Sequence, residues 1–119
     1  MDSLFTPGYI GSLKLENRMI RTASHEGLAE ADGAPTDAQF EFYKKFITGG
    51  IGLIITGYSG IMQNGKSALH RMTMIDKDEL IKPHKVLVDK IHKIDGKIIL
   101  QIAHCGRQTW SKDTGMSLV

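Results

Sequence analysis

The stretch Ile51-Gly52-Leu53-Ile54-Ile55-Thr56, IGLIIT, decides the architecture because it is apolar without alternation. A strand with one wet face reads apolar and polar in turn, whereas a run like this fits a parallel strand buried on both faces. Gly49-Gly50 closes the segment before it. That segment, Asp37 to Thr48, predicts a helix: Thr36 with Gln39 three residues later reads as a capping box, and Phe40, Tyr43 and Ile47 share one face. Further upstream, Met19 to Ala23 predicts a short strand, and Gly11-Ser12 between alternating apolar residues predicts a small β-hairpin ahead of it. Downstream, the loop Gly57 to Ile75 leads into a second helix, signalled by Asp76 with Glu79 and by Ile75 and Leu80 as a hydrophobic staple. That helix continues through Leu87, Ile91 and Ile94 to Gly96, and Pro83 inside it predicts that its first turns are separate or kinked. Lys97 to Ile102 is then a third strand.

The predicted order is βαβαβ, with no internal repeat or low-complexity linker. It suits either a doubly wound sheet or part of a (β/α) barrel, and both place ligands at the C-terminal ends of their strands. A dinucleotide-binding doubly wound domain would need a Gly-rich turn running straight from strand to helix, and neither G-x-G-x-x-G nor G-x-x-x-x-G-K-[ST] occurs. The first two strands instead leave through long loops, Ser24 to Pro35 and Gly57 to Ile75, while the returns at Gly49-Gly50 and Asp95-Gly96 are short. Long loops on one face and tight turns on the other favour the barrel. The polar strand ends would converge there: Thr22, Ala23, Ser24 and His25 from the first, Thr56, Gly57 and Tyr58 from the second, Gln101 and His104 from the third.

Composition narrows the function. The chain has 119 residues, 41% hydrophobic, which is enough for one real core. A net charge of +2 with Lys and Arg dispersed among acids leaves no basic footprint for nucleic acid. The single Cys105 excludes an internal disulfide, the start MDSLFTPG lacks the basic flank and apolar stretch of a signal peptide, and no apolar run is long enough to cross a bilayer. These features predict a cytoplasmic protein without membrane contact. His70, His84 and His92 are scattered without metal-ligand spacing, so no metal site is expected and they read as surface residues.

Four pieces in order carry a resemblance to a known family: LFTPGYIGSLKLENRMI, DG-x-x-T, GGIGLIIT and KIILQIAHCGR. Together they resemble the N-terminal part of the Old Yellow Enzyme (NADH:flavin oxidoreductase) family, and most closely its 2,4-dienoyl-CoA reductase and trimethylamine dehydrogenase-like branch. The resemblance covers nearly the whole chain. It implies an α/β fold, the N-terminal βαβαβ portion of a (β/α)8 TIM barrel preceded by the hairpin. Such a barrel takes roughly 250 residues, so residues 1–119 are expected to be an incomplete barrel. The implied activity is an FMN-dependent oxidoreductase passing hydride between NAD(P)H, FMN and an activated alkene or related small molecule. An iron-sulfur cluster, where the larger branch has one, would lie beyond Val119, and the protein is expected to be a homo-oligomer. A stand-alone, non-catalytic βαβαβ interaction module and a different phosphate-binding barrel enzyme remain open at this stage.

The same resemblance assigns roles. Backbone groups of Thr22, Ala23 and Ser24 would border the flavin's N5 and O4 edge, where this chain has Thr-Ala-Ser in place of the Pro-Met pair of many relatives. His25 falls where relatives carry a Thr or Cys that tunes the flavin, with a locally hydrogen-bonded loop histidine as the plainer reading. Tyr58 would line the substrate pocket or sit at a core edge with its hydroxyl in water. Gln101 is the strongest side-chain assignment, since a buried amide needs partners for both its ends and a flavin pyrimidine ring offers a matching donor and acceptor. Arg107, with His104 in the H-x-G-R match, would either stabilise charge near the flavin's N1-O2 end or anchor its loop by a salt bridge. Cys105 reads as a small packed residue.

Overall fold

The computed structural model describes residues 3–116, so the acidic start at Asp2 and the boundary at Val119 lie outside the described residues. The first element is the expected hairpin, β1 (Gly8–Ile10) and β2 (Leu13–Leu15), antiparallel with Ile10 opposite Leu13. Its two-residue turn works because Gly11 adopts φ +57°, a conformation a side chain would oppose.

The sheet follows. β3 (Ile20–Arg21), β4 (Leu53–Ile55) and β7 (Ile98–Ile99) form a parallel ladder in that spatial order, with Ile20 beside Leu53 and Ile54 beside Ile98. Between the first two runs α1 (Asp37–Thr48) has the bounds its sequence predicts. Only half of the capping box forms: Thr36 Oγ1 accepts from the Gln39 N–H at 3.2 Å, but the Gln39 side chain turns inward to Tyr43 and Thr73. The helix α2 (Ile81–His92) begins later than predicted, after a 3-10 turn at Asp78–Leu80. Pro83 occupies the third position of α2, where its missing N–H has no intrahelical acceptor to lose. Asp76 caps nothing there.

Two further pairings lie in segments expected to be loop or continuous strand. β5 (Ser59–Gly60), β6 (Thr73–Met74) and β8 (Ile102–Ala103) make a second parallel ladder in the order β6-β5-β8. The third predicted strand is thus split, and the reason is a side chain. Thr56 N–H still donates to Ile99 O at 2.9 Å, but Gln101 N–H donates to Thr56 Oγ1 at 3.1 Å rather than to a backbone carbonyl. The ladder resumes one step on, where Ser59 N–H donates to Gln101 O at 2.8 Å.

Tyr43, Ile54, Leu87 and Ile91 are buried between the helices and one face of the sheet, with Phe40, Phe42, Phe46, Ile47, Ile51 and Ile98 packed around them. A smaller cluster, Met72, Met74 and Leu80 with Ala34, Tyr58 and Cys105, sits beneath the second ladder. The last element, α3 (Ser111–Thr114), is a single turn. Every strand of both ladders runs parallel to its neighbours, so their C-terminal ends and the two long loops share one face.

Candidate active site

The centre of that face is a buried carboxylate. Glu26 follows β3 by a few residues, and its side chain is 4% exposed. Its Oε1 receives Arg21 Nη2 at 3.1 Å, the Tyr43 hydroxyl at 2.7 Å and the Gly57 N–H at 2.9 Å. Arg21 is 9% exposed and also donates from Nη1 to Ile55 O at 2.8 Å and from Nη2 to Ser24 O at 3.3 Å. Its guanidinium lies over the rings of Phe42, Tyr43 and Phe46 at 5.2, 5.6 and 5.4 Å, which favours a weakly hydrated planar cation. Burial, reinforced by the hydrogen bond to Glu26 and its charge, pushes the Tyr43 hydroxyl above its ordinary range. A Cβ on Gly57 would overlap both Glu26 Oε2 and Ser24 O, so only glycine lets the second strand end approach this closely. Neither Arg21 nor Glu26 was among the predicted site residues. Their signal is one arginine and one glutamate, five residues apart, in the otherwise uncharged segment RTASHEGLA.

Around this centre the predicted residues fall as follows. Thr22 and Ser24 are exposed and Ala23 half-buried at the end of β3, with the Ser24 carbonyl held by Arg21. His25 and Tyr58 are brought together: their rings stack with centroids 5.3 Å apart and an interplanar angle of 20°. His25 Nε2 lies 3.0 Å from His70 O. A carbonyl only accepts, so Nε2 carries the proton of that bond and Nδ1 is the nitrogen left for other chemistry. Tyr58 packs on the smaller core, and its hydroxyl meets Ser67 Oγ at 3.3 Å instead of standing in water.

Gln101 departs from expectation in one respect: it is exposed. Its backbone is tied into the sheet, but its amide makes no hydrogen bond among the described residues, because it projects from the face opposite the helix-packed Ile98. Arg107 is also exposed, and the loop-anchoring salt bridge is not formed, since no carboxylate among the described residues pairs with it. His104 is structural: Gly106 N–H donates to its Nδ1 at 3.1 Å, leaving Nε2 to donate to Asn64 Oδ1 at 3.2 Å. Cys105 packs on Met72, Met74 and Leu80, and burial raises its thiol pKa. Among the described residues no group of acidic, His and Cys side chains is arranged to hold a metal.

The two long loops are laced to one another. Ala29 N–H donates to Arg71 O at 3.2 Å while Arg71 Nε donates to Ala29 O at 2.7 Å, and Met74 N–H donates to Gly33 O at 3.0 Å. The floor of the face is therefore pre-formed. A separate cavity of about 440 Å³ opens on the helix side of the sheet, between His84 and Val88 of α2 and Ile98 and Leu100. Gln101 is not among the residues that line it.

A parallel sheet with helices on one face and ordered loops gathered at its strand ends is a segment of the wall of a (β/α)8-barrel enzyme. Comparisons with known proteins agree. Residues 3–116 match the NADH:flavin oxidoreductase / NADH oxidase family, and the chain belongs to that family. It is 38% identical over 119 residues to the metal reductase of Desulforamulus reducens, covering 100% of this chain and 17% of that protein. To the N,N-dimethylglycine/sarcosine dehydrogenase of Chromohalobacter salexigens it is 36% identical over 109 residues, 91% of this chain and 16% of that protein. Its structure superimposes on the Old Yellow Enzyme homologue from Zymomonas mobilis with a TM-score of 0.88 at 29% identity, covering 98% of this chain and 32% of the other. For morphinone reductase the TM-score is 0.86 at 28% identity, covering 97% of this chain and 30% of the other. The chain thus spans about a sixth of the length of the first two relatives and about a third of these solved structures. Membership of this family sets aside a barrel enzyme of unrelated type. No helix among the described residues is long and apolar enough to cross a membrane.

Proposed function

We infer that this chain is the N-terminal part of an FMN-dependent NAD(P)H oxidoreductase, with residues 1–119 forming one wall of the flavin site. The observation that carries the reading is the Gln101 amide, which has a donor and an acceptor but no protein partner among the described residues, at the edge where three parallel strands end. That donor set fits the polar edge of a flavin pyrimidine ring. Bound there, FMN would supply the hydride acceptor and donor that no side chain provides. Gln101 would hold the ring edge, the backbone of Thr22, Ala23 and Ser24 would border its reactive side, and Arg107 would place positive charge near its other end. His25, with its proton fixed on Nε2, would present Nδ1 beside the ring stacked on Tyr58, and the pair would orient a small-molecule substrate such as an activated alkene.

The names of similar proteins support the cofactor reading. One relative is an NADH oxidase of Thermoanaerobacter brockii, 32% identical over 108 residues, and one similar structure is morphinone reductase in complex with tetrahydroNAD. The relatives' greater length leaves room for the rest of the barrel and for an iron-sulfur cluster outside this segment. A cytoplasmic homo-oligomer acting on small molecules, without nucleic acid or membrane partners, completes the proposal.

The test is the visible spectrum of the purified full-length protein, with FMN identified after acid release and bleaching followed under anaerobic NADH or NADPH. Flavin bands that bleach support the proposal. A colourless protein that takes up no added FMN overturns it. In the same protein His25→Ala should slow flavin reduction with FMN still bound, whereas Tyr58→Ala should slow the substrate half-reaction more; stopped-flow traces identical to wild type for both would remove the pair from the site.

A further inference from the structure

We propose that Glu26 is a positioning residue for the flavin edge, its carboxylate clamping the ends of the first two strands at a fixed separation; this rests on the FMN reading above. One oxygen, Glu26 Oε1, collects donors from three elements: Arg21 at the end of β3, Tyr43 in the middle of α1 and the Gly57 N–H just past β4. Arg21 completes the clamp by reaching across to Ile55 O and back to Ser24 O. The backbone proposed to border the flavin's reactive side, and the Tyr58 ring proposed to lie near it, are therefore anchored from behind. Ser24 is held through its carbonyl and Tyr58 through its neighbour Gly57, while Thr22 and Ala23 lie between Arg21 and Ser24.

The arrangement goes beyond ordinary core packing. A buried ion pair is a poor source of stability, because desolvation of both charges cancels much of their attraction, and an apolar pair of similar size packs as well. What an apolar pair lacks is direction. Here the carboxylate accepts from a backbone N–H whose residue cannot carry a Cβ, so the spacing of the two strand ends is set by hydrogen-bond length and by the contact of Gly57 with Glu26 and Ser24. Such support behind a reactive edge is what holds it in productive geometry. Glu26 itself need not touch the flavin.

Two paired variants of the full-length protein separate positioning from bulk stability. Arg21→Met/Glu26→Gln removes both charges but keeps an amide oxygen for Tyr43 and Gly57, whereas Arg21→Met/Glu26→Leu removes the acceptor as well. The expected result is that the first pair, which loses the Arg21 bonds to Ser24 O and Ile55 O but keeps Gly57 tied, binds FMN more tightly than the second by about tenfold, the scale set by an unpaired buried donor, and that the second shows the larger shift in potential. In flavin-free protein the Gly57 amide should exchange slowly in wild type and in the Gln variant, and rapidly in the Leu variant. Equal affinity, potential and Gly57 exchange in both pairs would overturn the proposal, even if their melting temperatures differed. Should the Leu variant fail to fold, Tyr43→Phe removes one donor and leaves the ion pair: weaker FMN binding with faster Gly57 exchange sustains the clamp, and unchanged values overturn it. A wild-type protein that binds no FMN refutes the functional reading and this inference together; wild-type binding with indifferent variants refutes this inference alone.

Discussion

Gln101 holds its place through the backbone and meets solvent through its side chain, so replacing it should leave the sheet intact and change only what the amide touches. Gln101→Leu is expected to weaken FMN binding by about 1–3 kcal/mol, the cost of an unpaired partner in a buried site, with no loss of folding. Fluorescence titration of the flavin measures it, and an unchanged dissociation constant would remove Gln101 from the site. Tyr43 gives a pH signature. The unfolded phenol loses its proton near pH 10, but the buried one beside Glu26 retains it to higher pH. The stabilisation this represents is fully present below about pH 10 and is lost as pH rises beyond it. Melting temperatures from pH 8 upward should therefore fall more steeply above pH 10 for wild type than for Tyr43→Phe, and parallel curves would contradict the assignment. The strand end at Gln101 was legible from the sequence, because a polar residue directly after an apolar run marks one. The Arg21–Glu26 pair was not, since two charges standing alone in RTASHEGLA do not say whether the glutamate folds inward or meets water.

At the scale of elements, legibility followed the range of the forces involved. The helix α1 could be placed residue for residue because its signals are local: Thr36 at the start and two glycines at the end. Thr36→Ala should cost about 0.5–2 kcal/mol, read by chemical denaturation, as expected for losing an N-cap. Its hydroxyl also donates to Leu28 O at 2.6 Å, which places the cost toward the upper end; a loss below the lower bound would mean that neither bond matters. By contrast β6 is two residues long and exists through pairing with β5, so Thr73-Met74 carries no period to read. The split of the third strand has the same cause at one remove. It depends on the Thr56 hydroxyl, 45 positions from Gln101, standing in for a carbonyl.

The whole molecule is extended. Its radius of gyration is 15.7 Å, against about 13.5 Å for a compact domain of this length, and its extents are 51 × 29 × 23 Å. Ile20 at 38%, Ile99 at 40% and Ile102 at 60% exposure leave the sheet with apolar surface and free edges. The 119-residue chain produced alone is expected to associate with copies of itself and to hold FMN weakly or not at all. Sedimentation showing a stable monomer, or stoichiometric flavin surviving dialysis, would contradict this. A barrel wall could be foreseen from the alternation of elements, but which of its faces lie bare depends on neighbours that these two ladders do not include. The lacing of the two long loops also bears on how the chain is made. His25 finds its carbonyl 45 residues later and Ala29 its guanidinium 42 residues later, so during synthesis the first loop emerges with only its nearer partners, Arg21, Thr36 and Tyr43, to hold it. Closing contacts of such long sequence separation is slow. The lacing of this face should thus be among the last parts of this segment to form, and until Arg71 has left the ribosome the stretch around Ala29 is more open to proteases and chaperones than in the finished fold.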